Sequence, residues 1–170
     1  MKLFVNIAFF LSALFLISCQ STNQIYIVRH AEKSTEPAND PNLTIEGKVR
    51  AETLKSILKD KNIKAIFSTA TKRTVETATP LSSLINIPIQ YYGNDTLPVF
   101  LQNVISLKKN ALIVGHSNTI VFMISGLDLP HTINSIADND YDNMFIIKVK
   151  SGKAVKIKET TYGTVSPPVK

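Results

Sequence analysis

Short β-rich apolar runs alternate along this chain with segments of helical spacing, and each main run ends in polar residues suited to chemistry. Ile25-Tyr26-Ile27-Val28 leads into Arg29-His30, Ala65-Ile66-Phe67 into Ser68-Thr69, and Ala111 to Val114 into Gly115-His116. Apolar runs this short, bounded by polar and turn residues, are the pattern of strands buried on both faces. Between the first two, Thr44 is placed to cap a helix reaching about Asp60, with Ala51, Leu54 and Leu58 on one face. Thr71 to Asn86 carries a second stripe, Val75, Ala78, Leu81 and Ile85, which Pro80 should kink or split. Ile89 to Tyr92 reads as a short third strand, Pro98 to Leu107 as a weak helix, and another helix begins near Asn118. Met144 to Lys150 and Ala154 to Glu159 are predicted to form a hairpin around Ser151-Gly152-Lys153. That loop sets Val149 opposite Val155 and Ile147 opposite Ile157. The fold class is therefore α/β, with a mostly parallel sheet and an antiparallel C-terminal hairpin.

In sheets of this kind the ligand crevice lies beyond the carboxyl ends of the strands. Arg29, His30, Ser68, Thr69, Arg73 and His116 all fall there, although they are far apart along the chain. An arginine fork stays charged and grips oxyanions at two points, so Arg29 and Arg73 suit a phosphoryl group. Protonated His116 offers a further donor. His30 is then the candidate nucleophile, because a neutral imidazole can attack phosphorus and hold the group as a phosphohistidine.

Composition narrows the alternatives. The 170 residues allow one ordinary domain, and 44% hydrophobic residues with 6 Gly exclude a disordered or collagenous chain. The net charge is +6, but the lysines are scattered and there is no Trp, so nucleic acid is not an expected partner. Residues 1–18 read as a signal peptide: Lys2 precedes an apolar run from Leu3 to Ile17, shorter than the roughly 20 residues of a spanning helix. Leu16-Ile17-Ser18-Cys19 resembles a bacterial lipoprotein box, with the chain's single cysteine, Cys19, as the acylated residue. Residues 19–24 then form a lipidated tether, and the expected location is the bacterial cell envelope, membrane-attached through that lipid. Residues 163–170 read as a flexible tail. Asp138 to Asn143 resembles the start of a calcium loop, but Asn143 replaces the turn glycine and Val149 stands where the bidentate glutamate belongs.

Arg29-His30-Ala31-Glu32 resembles the opening motif of the histidine phosphatase superfamily, the phosphoglycerate-mutase-like proteins. The resemblance continues in Leu43-Thr44-Ile45-Glu46-Gly47, in Phe67 to Ala78 and in Val114-Gly115-His116-Ser117-Asn118-Thr119. It implies a three-layer α/β/α sandwich over residues 25–162. It also implies hydrolysis through phospho-His30, a phosphate pocket of Arg29, Arg73 and His116, and neither metal nor other cofactor. The substrate would be a small phosphorylated molecule or a phosphoprotein. Ala31 stands where the family usually has Gly, and no clear match exists for the glutamate that often donates a proton. Asp95, Glu32 or no donor at all remain open. The alternative is a phosphate-binding envelope lipoprotein on the same fold without catalysis.

Overall fold

The computed structural model describes residues 22–167. Its elements are β1 (Thr22–Arg29), α1 (Ile45–Leu58), β2 (Ile63–Ser68), α2 (Lys72–Ile85) and β3 (Ile89–Tyr91). A 3-10 turn at Asn94–Thr96 leads into α3 (Leu97–Ser106), followed by β4 (Asn110–Gly115), α4 (Ser117–Ser125), β5 (Asn143–Lys150) and β6 (Lys153–Thr161). The six strands form one sheet in the order β3-β2-β4-β1-β5-β6. β3, β2, β4 and β1 run parallel, while β5 and β6 are antiparallel additions.

Alternation along the strands makes the three layers. Ile25, Ile27, Ala111 and Ile113 face the core shared with Leu101, Val104, Ile120 and Met123 of α3 and α4. Tyr26, Val28, Leu112 and Val114 face the other core, with Leu54 and Leu58 of α1 and Ala78 and Leu81 of α2. Both faces of the central strands are covered, which accounts for their unbroken apolar runs. The predicted sandwich is the observed architecture.

Thr44 caps α1 as expected, accepting a hydrogen bond from the amide of Gly47 at 3.1 Å. Gly47 has a separate role. A Cβ there would lie 2.2 Å from the carbonyl oxygen of Glu32, so only glycine lets α1 pack onto the strand β1 exit.

Four local expectations need correction. Pro80 neither splits nor ends α2, which runs unbroken through it as one helix. The hairpin turn is the two residues Ser151 and Gly152, with φ of 52° and 77°, the left-handed pair of a type I′ turn. Lys150 therefore pairs with Lys153, and a register shift puts Val149 opposite Ala154, leaving Val155 45% exposed; the pairing of Ile147 with Ile157 stands. Strand β1 begins at Thr22 because β5 is long enough to pair with Thr22, Asn23 and Gln24, so these residues belong to the sheet and not to a tether. Finally, residues 163–167 are held by hydrogen bonds: Arg50 donates to the carbonyl of Thr164, Ser166 donates its amide to Asp142, and Tyr141 donates its amide to Ser166 Oγ. The proposed signal segment and Cys19 lie outside the described residues.

Candidate active site

The carboxyl ends of β1, β2 and β4 deliver Arg29-His30, Ser68-Thr69 and Gly115-His116 to one end of the sheet. His30 and Arg29 are buried, each 3% exposed. The His30 amide donates to the Gly115 carbonyl at 2.9 Å, extending the β1–β4 ladder by one residue and pinning the nucleophile candidate to the strand carrying His116. The two imidazoles meet edge to face, with centroids 5.5 Å apart.

His30 Nδ1 lies 2.8 Å from the carbonyl oxygen of Ala31. A carbonyl only accepts, so Nδ1 carries the proton and Nε2 holds the free lone pair. Burial, with the charges of Arg29 and Arg73 and the neighbouring His116 adding to it, pushes the His30 pKa down to about 3. The ring is therefore neutral at physiological pH, the state a nucleophile needs. Ala31 is buried and its φ is negative, so the methyl in place of the family's glycine meets no backbone strain. Its amide donates to Thr77 Oγ1 at 2.9 Å, which fixes the turn after His30 against α2.

Arg73 opens α2 and reaches His116, its Nη2 lying 3.4 Å from Nδ1. A guanidinium only donates, so His116 Nδ1 accepts and Nε2–H points to Thr69 Oγ1 at 2.9 Å. Burial first, then Arg73 and Arg29, push the His116 pKa down to about 4. The expected protonated His116 is thus neutral in the free site. An incoming phosphate dianion offsets the repulsion of the two arginines and favours its protonation.

Arg29 lies under the Tyr141 ring, 4.5 Å from its centroid, and donates through Nη1 to the carbonyls of Ala137 and Asp140. Tyr141 in turn lies 5.9 Å from the His30 ring, centroid to centroid. Arg29 and Arg73 each keep a buried Nε–H with no protein acceptor. Unmet guanidinium donors beside a neutral imidazole make a cationic cage that an oxyanion completes.

The two donor candidates fare differently from these four residues. Glu32 is taken by Arg50, which binds both its oxygens at 2.7–3.0 Å while also donating to the carbonyls of Tyr162 and Thr164. Asp95 sits exposed in the 3-10 turn, with no hydrogen bond or ion pair to His30, His116 or either arginine. Three contributors were not predicted. Thr77 and Thr74 replace apolar residues on the inner face of α2, and their spacing at positions 74 and 77 was the available signal. Tyr141 lies in an irregular stretch of 126–142, where no periodicity marks which side chain turns inward.

Residues 25–93 match the model of the histidine phosphatase superfamily, branch 1. No curated protein matches the chain. Among solved structures, the mycobacterial glucosyl-3-phosphoglycerate phosphatase is similar at 9% identity, with a TM-score of 0.65 over 83% of this chain and 98% of that one. The protein histidine phosphatase SixA, in complex with tungstate, is 14% identical with a TM-score of 0.65, covering 84% and 96%. YhfR of Bacillus stearothermophilus is 16% identical with a TM-score of 0.64, covering 78% and 94%. These likenesses establish the fold.

Proposed function

We propose that this chain, whose residues 25–93 match the histidine phosphatase superfamily model, is a phosphatase working through phospho-His30. The observation that carries the proposal is the state of His30: neutral, its Nδ1 proton tied to Ala31, its ring beside His116 and the two arginines. In the first step the Nε2 lone pair forms a bond to phosphorus while the phosphorus–oxygen bond to the leaving group breaks. Arg29, Arg73 and the protonating His116 take up the charge of the equatorial oxygens, where positioning and electrostatics supply most of the rate. In the second step water attacks phosphorus and gives up a proton to solvent, which balances the proton taken up by the departed leaving-group anion; the nitrogen–phosphorus bond breaks, and His30 returns to its neutral form.

Glu32 is locked to Arg50 and Asp95 is uncontacted, while the carboxylates that reach the arginines, Asp40 at 3.8 Å from Arg73 and Asp138 at 3.9 Å from Arg29, are their ion-pair partners, so none of the four is an unpaired acid in contact with His30. A donor is typically worth about 10²–10⁴-fold, so its lack favours phosphates whose leaving group departs without help, such as aryl, acyl or histidyl phosphates. The same lack is what supports the second reading, a phosphate-binding module without turnover. The N-terminal apolar run and Cys19 support attachment to a cell-envelope membrane.

The full chain assayed on aryl phosphates in excess chelator separates the two readings. The phosphatase predicts turnover that rises steeply as the leaving-group pKa falls, a drop of about 10³-fold or more in His30→Ala, and acid-labile phosphate on the quenched protein. Phosphate binding with no turnover in the wild-type chain would leave the binding module.

A further inference from the structure

A cluster of exposed lysines marks one end of the sheet. At the end where the parallel strands start, Lys59 and Lys61 flank the connection into β2, and Lys108 and Lys109 lead into β4; all four are exposed. Lys150 and Lys153 face each other across the hairpin turn at the same end, since Lys150 also pairs with Thr22, the first residue of β1. Next along the ladder Lys148 pairs with Lys156, again lysine opposite lysine. Among the described residues none of these lysines has an acidic partner, and Asp60 is the acidic residue in these connections. The catalytic end is mixed: its connections carry Glu32, Glu36 and Asp40 after β1, Asp95 after β3, and Asp138 and Asp140 before β5, alongside Lys33, Lys72 and the site's Arg29 and Arg73.

Like charges directly across a sheet destabilise it. Two such pairs side by side, with further lysines around them, mark a surface completed by an external anion. Lys61, Lys148, Lys156 and Lys158 also ring a hollow of about 360 Å³ beside Gln24 and Tyr26 of β1. The chain enters the sheet at this same end: Thr22 follows, after a few residues, the apolar run Leu3 to Ile17.

We propose that this lysine pole seats on an anionic lipid surface, holding the catalytic end away from the bilayer. Lysines within a Debye length of an anionic leaflet are drawn to it, and each adds to the binding. The eight residues of β1, at about 3.3 Å each, set the active site roughly 25 Å from the pole. The proposal rests on the membrane reading of the N-terminal segment and is independent of the phosphatase chemistry.

The full chain, mixed with preformed vesicles, tests it in two arms. Binding to vesicles holding roughly 30% anionic lipid is expected to exceed binding to neutral vesicles about tenfold at low salt, and the excess to vanish near 0.5 M salt. Replacing Lys61, Lys148, Lys153 and Lys156 together by glutamine is expected to abolish the excess while leaving neutral-vesicle binding unchanged. The chain has no tryptophan, so Val155→Trp and Ile45→Trp report each end separately. Lipid-borne quenchers are expected to dim the first and spare the second. An excess that survives the four substitutions, or equal quenching at both positions, overturns the proposal. So does loss of oligonucleotide binding, and not of lipid binding, in the lysine variant. Failure to bind any vesicle removes the membrane reading as well, whereas neutral binding without the anionic excess removes the lysine pole alone; neither outcome touches turnover.

Discussion

At the residue scale, the protonation of two histidines decides how the site behaves with pH. An ordinary imidazole protonates near 6.5, whereas His30 is held down to about 3 and His116 to about 4. The kcat/KM of the free enzyme, corrected for substrate ionisation, is therefore expected to show no fall from pH 7 to about 5, because His30 stays neutral throughout. A fall with a midpoint near 6.5 in a pH–rate profile would contradict the burial of His30. Stability runs the other way. Above about pH 6.5 both rings are neutral folded and unfolded, so they make no difference; below it the unfolded chain takes up protons that the folded one refuses, and stability falls until the folded pKa is reached. Denaturant titrations from pH 7 to 4 are expected to show this slope, shallower in His30→Asn. Glu32→Gln separates structure from chemistry. It weakens the clamp on Arg50, which is 3% exposed against 22% for Glu32, and is expected to cost about 2–3 kcal/mol in urea unfolding. The dependence of rate on leaving-group pKa is expected to be unchanged, since Arg50 holds both oxygens of Glu32.

At the scale of elements, the tightest packing constraint is the start of α1. Gly47→Ala drives a methyl into the Glu32 carbonyl, and neither backbone can yield without moving His30 or the helix. A loss of about 1–3 kcal/mol is expected by thermal or urea unfolding, with a larger relative loss of turnover. How far the elements could be anticipated follows from where the physics is local. The apolar runs ending in Arg29-His30, Phe67-Ser68 and Gly115-His116 announce both the strands and the site, because burial on both faces leaves no other place for those residues. The hairpin register was misjudged because it depends on the left-handed φ of Ser151 and Gly152, which composition alone does not reveal for a serine. The sequence predicts that Pro80 kinks or splits α2; the helix is not split, and Ala78 and Leu81 on either side of Pro80 are packed in the core. Tyr141 and the Arg50–Glu32 clamp arise from contacts between residues far apart in the chain, so no local pattern points to them.

At the scale of the whole molecule, the sheet divides labour between its ends. One end gathers Arg29, His30, Arg73, His116 and most of the acidic connections; the other gathers lysines that have no acidic partner among the described residues, and the point where the chain enters the sheet. The docking of residues 164–167 against Arg50, Asp142 and Tyr141 has a practical consequence. Pro167 itself lines a hollow of about 570 Å³ whose wall includes Tyr141, the ring beside His30. An affinity tag or reporter placed directly after Pro167 would crowd that hollow.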